Sequence, residues 1–369
     1  MVYSPELRQG VGDLRRCLEE AGLGRQGAGF AKHGSHSPAP DAPLILVACS
    51  GGRDSTALAA LASIVCPELG LKCGAVVINH GLQEGSAQVA GEAAHRCSSL
   101  GLDPVVTERV QVTHTKAGME ADARSARYQA IGRVALAAGA RAVLLAHTRD
   151  DQAEGVLISL IRTAGLGALA GMAPRSRRGG VLYLRPLLDV SRSQTTTICR
   201  QMGLDWWDDP SNGGEFAADQ RLPANYPLRS RVRHDLLPAL SAFAGRDMAM
   251  HLAQSALLAR ADQDFLDQEA GRLLTRSLRP RTAKPQGAEP LACLDVKTMQ
   301  DAHPALRSRA WAQLLTSLGL DASSRRIGQI DALVSRWHGQ GPVSLPSFHS
   351  AFRQGHVILI CKDRDHAHR

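Results

Sequence analysis

The stretch that decides the fold is ILVACSGGRDSTALAALASIV, residues 45–65. An apolar run, Ile45 to Cys49, turns into Ser50-Gly51-Gly52-Arg53-Asp54-Ser55, and an Ala/Leu-rich helical run follows at once. A buried strand, a glycine-containing turn and a helix in that order aim backbone N–H groups at one point, which makes an anion site. A Walker A loop would end in Gly-Lys-Ser/Thr, its lysine reaching the β- and γ-phosphates. No lysine follows here. Ser50 and Ser55 supply hydroxyls instead, and Asp54 brings a carboxylate. A carboxylate beside phosphates makes sense when Mg²⁺ neutralises it and bridges them. The expectation is a phosphate loop of Ser50, Gly51, Gly52, Arg53, Asp54 and Ser55 that holds pyrophosphate as a leaving group. Small residues chosen for packing alone would leave the Asp-Ser pair unexplained.

Outward from this stretch the chain alternates. Apolar runs at 44–49, 73–79, 104–112 and 142–146 read as buried strands, with helical patterns at 55–66, 84–101, 118–139 and 151–163 between and after them. Residues 181–204 add a short strand and a helix that Ser191 can cap. Such alternation predicts an α/β fold with a doubly wound parallel sheet covered on both faces. A helix is expected over 6–24 and a surface loop over 25–43. After residue 215 helical patterns dominate, at 229–243, 247–279, 303–318 and 323–338, with a loop at 280–290 and a small β tail near 343–361. Two domains are expected: a catalytic one over 1–215 and a second, mainly helical one over 216–369.

Length and composition agree. The 369 residues suffice for two cores. No apolar run reaches the ~18–20 residues of a membrane span. The opening MVYSPELRQG lacks a signal pattern, so a cytoplasmic location is expected. The eight cysteines form no C-x-x-C pair, which argues against a disulfide framework, a zinc ribbon or an iron–sulfur site. Cys49, Cys73 and Cys199 read as small buried thiols. Charge divides unevenly. Residues 1–215 hold 22 Lys+Arg against 21 Asp+Glu, and 216–369 hold 21 against 14. Nearly all of the net +8 thus lies in the C-terminal part, the footprint of a polyanion-binding surface.

The S-G-G-x-D-S stretch resembles the signature of the N-type ATP pyrophosphatases, which cleave ATP between the α- and β-phosphates and adenylate a carbonyl-type oxygen. Further segments resemble one family within that superfamily, the tRNA(Ile)-lysidine synthetases, in order along the chain. VVINHGLQ (76–83) contains Asn79-His80-Gly81, and GMEADARSARY (118–128) puts Glu120, Arg124 and Arg127 on one helix face. LLAHTRDDQAEG (144–155), LIRTAGLGALAGM (160–172), RPLL (185–188), WWDDPSN (206–212) and LRSRVRHDLLPAL (228–240) follow. The resemblance spans residues 44–240, and GPVSLPSFHSAFR (341–353) is similar to the family's late segment. Three positions depart from the family pattern: Thr148 for a second histidine, Gly155 for a threonine and Ser230 for an asparagine.

The resemblance implies ATP-dependent ligation of L-lysine to C2 of the wobble cytidine in the CAU anticodon of tRNA(Ile). The route is an adenylated tRNA, with release of AMP and pyrophosphate. ATP and Mg²⁺ are the implied cofactors, tRNA(Ile) and lysine the partners, and monomer and homodimer both stay open. The catalytic set is Asp54, Arg124, Arg127, His147, Asp151 and Glu154. Arg124 and Arg127 would stabilise developing negative charge. Asp151 and Glu154, at i, i+3 beyond a strand end, would bind the ammonium groups of lysine, and one of them would act as base. Asp150 is expected to cap the helix that follows. Arg175, Arg177 and Arg178 read as a phosphate-contacting hairpin, and at least one of Trp206 and Trp207 as core. A tRNA 2-thiolating enzyme on the same loop would need catalytic cysteines, commonly a C-x-x-C pair. A small-molecule amidotransferase partner would lack the basic C-terminal half. A catalytically impaired ATP- and RNA-binding module is the non-enzyme alternative.

Overall fold

Ser4 opens the fold by capping α1 (Pro5–Glu20), its hydroxyl accepting from the Leu7 N–H. Leu7, Leu14 and Leu18, at helical spacing, are completely buried and form the core-facing side of that helix. The computed structural model describes residues 3–26, 37–79, 81, 85–110, 119–213, 215–217, 219–280 and 288–363. His80, the centre of the expected 25–43 loop and most of the 280–290 loop lie outside the described residues, as does the side chain of Glu120.

Strands β1 (Leu44–Ala48), β2 (Lys72–Asn79), β3 (Val105–Arg109), β4 (Ala142–Leu144), β5 (Arg175–Arg178) and β6 (Val181–Leu184) form one sheet in the order β3-β2-β1-β4-β6-β5. All pairings are parallel except the β5–β6 hairpin at one edge. The connecting helices are α2 (Arg53–Glu68), α3 (Ser86–Ser99), α4 (Met119–Ala137), α5 (Arg149–Arg162), the short α6 (Leu166–Leu169), and α7 (Arg192–Gln201) after β6. Period-two alternation sends Ile45 and Val47 into a core shared with α1, α2 and α7, while Leu46 meets Tyr128 and Ile131 of α4 on the other face. A sheet covered on both faces is the expected α/β arrangement. Ser191 caps α7, accepting from the Gln194 N–H.

The structure divides the chain between Ala259 and Arg260 and not near residue 215. The reason lies in α8 (Leu228–Arg231), a π-helical turn (Val232–Leu236) and α9 (Leu237–Ala244). This helical run packs on α5: Leu237 joins Ala153 in an apolar cluster, and Arg229 and Arg233 pair with the α5 carboxylates. Charge and apolar contacts from distant segments bind it to the first unit, which local composition does not reveal.

The second unit, Arg260–Arg369, corrects the expectation of a mainly helical domain. It contains the end of α10 (Met248–Ser277), then α11 (Val296–Gln300), α12 (Pro304–Ser317) and α13 (Ser324–Ser335). It also contains a four-stranded antiparallel sheet of β7 (Ala288–Asp295), β8 (Val343–Leu345), β9 (His349–Gln354) and β10 (Val357–Asp363), in the order β7-β10-β9-β8. Trp311, Leu315, Ile330, Leu333, Ile358 and Ile360 form its fully buried centre. Strand β7 is hard to read locally because Pro290 interrupts it. As an edge strand with a register shift opposite Ile360 and Cys361, it tolerates the missing N–H.

Candidate active site

The strand order reverses between β1 and β4, and such sheets hold ligands in the crevice beyond the strand ends at that point. The loop leaving β1 lies there. Gly51 has φ +80°, and a Cβ on it would sit 3.1 Å from Ala93 Cβ, so both backbone and packing require glycine. Its carbonyl accepts from the Trp207 N–H at 3.0 Å. Gly52 precedes α2 without a side-chain cap, which leaves the first helical N–H groups available to an anion. Ser55 is buried, donates to the Gly52 carbonyl at 2.8 Å and accepts from the Ser50 N–H at 3.2 Å. It shapes the loop, and Ser50 is the hydroxyl exposed to the crevice.

Asp54 turns from this loop toward α7. Thr195 Oγ1 donates to its carboxylate at 2.5 Å, and Arg53 and Arg192 lie 3.4 and 3.6 Å away. Arg192 also reaches Asp151 at 3.3 Å and Glu154 at 3.1 Å, while its N–H donates to Asp150 at 2.8 Å. Arg233 grips Glu154 through two hydrogen bonds of 2.7 and 3.0 Å, and Arg229 lies 3.6 Å from Asp151. Burial would lower the Arg192 pKa, but Glu154, Asp151 and Asp54 outweigh it and hold the guanidinium above its ordinary value. Burial likewise would raise Asp151, but Arg192 and the Thr148 N–H outweigh it and keep the carboxyl below the usual range.

Two sequence expectations change here. Glu154 is 0% exposed and satisfied by Arg192 and Arg233, so it does not face the crevice as a lysine-binding group. The cap of α5 is Thr148 and not Asp150: Thr148 and Asp151 form a reciprocal capping box, and Asp150 receives the Arg192 N–H instead. The Thr148 departure therefore holds Asp151 in place. Gly155 has open space where a Cβ would stand.

His147 borders the same crevice, and its Nδ1 is buried without a hydrogen-bond partner among the described residues. Burial pushes its pKa down to about 3 against the pull of Asp151, with Arg185, Arg127 and Arg124 adding to the effect, so the ring is neutral. Arg124 and Arg127 line the crevice from α4, and Arg127 is lowered by burial and by Arg124. Arg178 of the β5–β6 hairpin stacks on Tyr128, 5.0 Å from the ring centre. Trp206 packs partly against the core, whereas Trp207 lines the crevice.

Together these groups enclose a cavity of about 700 Å³. Ser50, Gly52, Arg53 and Asp54 line one side, and Arg124, Arg127, His147, Asp151, Arg192, Arg229 and Arg233 the rest, with Asp208 and Asp209 at the border. Among the described residues, six arginines against four aspartates line it, which makes a cationic pocket suited to a polyphosphate.

Known proteins match this chain along its length. A family described as a PP-loop domain matches residues 30–240. A tRNA(Ile)-lysidine synthase of Bifidobacterium longum subsp. infantis is 49% identical over 390 residues, covering 100% of both chains. The chain belongs to the tRNA(Ile)-lysidine synthase family. Other lysidine synthases come from Bifidobacterium animalis subsp. lactis, 49% identical over 376 residues with 100% and 98% of the two chains covered, and from Streptomyces coelicolor, 41% over 324 residues with 87% and 86% covered. In three dimensions the chain is similar to a U34-tRNA thiolase of Methanococcus maripaludis at a TM-score of 0.50 and 14% identity, over 70% of this chain and 78% of that one. That likeness concerns the fold alone.

The lysidine synthase motifs did not single out Arg192 and Thr195, nor the pairing of the Arg233 guanidinium with Glu154. One signal was present: Arg192 opens a helix, where a cation opposes the macrodipole unless carboxylates surround it. Among the described residues no helix is long and apolar enough to cross a membrane.

Proposed function

We propose that this chain ligates L-lysine to C2 of the wobble cytidine in the CAU anticodon of tRNA(Ile), using ATP to adenylate the cytosine oxygen first. The observation that carries the reading is the single cavity into which a lysine-free phosphate loop, an arginine cluster and the Asp151 carboxylate all face. Ser50 and the first N–H groups of α2 hold the departing pyrophosphate. Arg124 and Arg127 stabilise negative charge on the α-phosphate and the base oxygen. Asp151 faces the incoming amine, and Glu154 holds Arg192 and Arg233 in position behind it. Neutral His147 borders the cavity and offers a ring hydrogen bond to a reacting group there.

Mg²⁺ fits this loop. Asp54 is the carboxylate beside the phosphate site, and Mg²⁺ is commonly held by one or two carboxylates together with substrate phosphates. Among the described residues no group of three His, Cys, Asp or Glu is placed to hold an ion alone. The bound ion would neutralise charge on the leaving pyrophosphate.

Catalysis is assigned to Met1–Ala259. Arg260–Arg369, with 16 Lys+Arg against 11 Asp+Glu, supplies much of the tRNA affinity. Incubation with a tRNA(Ile) transcript, ATP and radiolabelled lysine tests the reading: label must enter the RNA in an ATP-dependent way. ATP binding without label would favour a module that has lost its chemistry.

A further inference from the structure

The second unit presents one large aromatic side chain in an unusual setting. Trp337 follows the last turn of α13 and is 39% exposed, between exposed Arg336 and His338. Beneath its ring lies the Arg353 guanidinium, 5.4 Å from the centroid. Arg353 spends its donors on backbone carbonyls, Leu333 at 3.3 Å and Gly355 at 3.0 Å, so its charge is fixed in place.

The segment carrying the indole is pinned in the same manner. Gln340 Nε2 donates to the Ala332 carbonyl at 3.1 Å, and Gln340 Oε1 accepts from the His338 N–H at 2.9 Å. The His338 ring closes the turn through Nδ1, 3.0 Å from the Arg336 carbonyl. An exposed tryptophan on a tied-down turn with a guanidinium behind it is a built platform and not a frayed helix end. Arg336 beside it, Arg353 beneath it and the basic balance of Arg260–Arg369 select a polyanion with flat rings over an apolar peptide.

We propose that Trp337, backed by Arg353, is a stacking platform for an unpaired nucleobase of the tRNA, with Arg336 on the adjoining phosphate. The proposal rests on the tRNA-ligating reading above and adds a contact remote in sequence from every ATP motif. Base–aromatic stacking backed by a cation is how proteins hold single-stranded nucleotides.

Full-length variants test it by equilibrium binding of a tRNA(Ile) transcript. Trp337→Ala and Trp337→Leu should weaken binding roughly tenfold, whereas Trp337→Phe, which keeps a ring, should stay within about threefold. ATP affinity should not change in any of them. Arg336→Gln should lower the slope of log affinity against log salt by about one. Ultraviolet crosslinking of the wild-type complex, read by mass spectrometry, should place RNA on the peptide containing Trp337, and it needs no folded variant. Wild-type affinity in Trp337→Ala, or crosslinks confined to Met1–Ala259, would overturn the platform while lysine incorporation continued. Failure of the wild-type chain to bind tRNA or incorporate lysine would instead overturn the function, and the platform with it.

Discussion

Arg192 Nε lies 3.6 Å from Asp54 Oδ2 while the other two nitrogens of the same guanidinium reach Glu154 and Asp151 at 3.1 and 3.3 Å. One side chain therefore ties the phosphate loop to the acidic pair, and the two halves of the site share a single charge. Replacing it with a neutral residue leaves two largely buried carboxylates short of a partner. Arg192→Met should lower the unfolding free energy by about 3 kcal/mol, read from urea denaturation. A loss within experimental scatter would mean that Arg229 and Arg233 alone satisfy the acids.

Asp54→Asn keeps an acceptor for Thr195 but removes the charge beside the phosphates. Pyrophosphate release should fall by roughly two orders of magnitude or more with the fold intact, measured by a coupled pyrophosphate assay and circular dichroism. Release near the wild-type rate would remove Asp54 from the phosphate chemistry.

The two α5 acids should separate cleanly. Asp151→Asn, at the crevice, is expected to raise KM for lysine at least tenfold while adenylation continues and adenylated tRNA accumulates. Glu154→Gln, fully buried, should act first on stability, with a cost of roughly 3 kcal/mol. If Glu154→Gln instead raised KM for lysine without loss of stability, Glu154 would have to contact the substrate.

His147 carries a pH signature. Its folded pKa of about 3 lies below the ordinary 6.5, so the unfolded chain takes up the extra proton. Stability from this group is complete above about 6.5 and is lost as pH falls toward about 3. His147→Asn should flatten the stability curve across that window. Nuclear magnetic resonance should show no His147 titration between about pH 5 and 8. A midpoint near neutrality would show that the ring is solvated.

Gly155 lies inside α5 with open space around its missing Cβ. Gly155→Ala should stabilise the protein by about 0.5–1 kcal/mol through lower backbone entropy in the unfolded chain, visible as a higher Tm. A lower Tm would show that the position needs glycine for packing.

The parallel sheet, its helices and the phosphate loop were legible because each depends on local signals. Period-two apolar runs bury on both faces, Ser191 caps a helix three residues before Gln194, and Gly51 answers a left-handed turn. Strand β7 was not legible, since Pro290 masks a strand that exists only against β10. The unit boundary was missed for a similar reason. Residues 228–244 look like the start of a helical half until their arginines are seen to pair with α5.

By itself the sequence determined the order of the parallel strands and their covering helices, the ATP loop and the set of charged residues available to it, because these follow from side-chain periodicity and from backbone preferences within a few residues. Only the tertiary structure decided which charges meet. Glu154 became a buried anchor and Asp151 the carboxylate at the crevice once Arg192, Arg229 and Arg233 arrived from later segments, 38 to 79 residues along the chain from Glu154 for Arg192 and Arg233. Ion pairing depends on distance in space and on the loss of water around the partners. Neither quantity is written in the local chain.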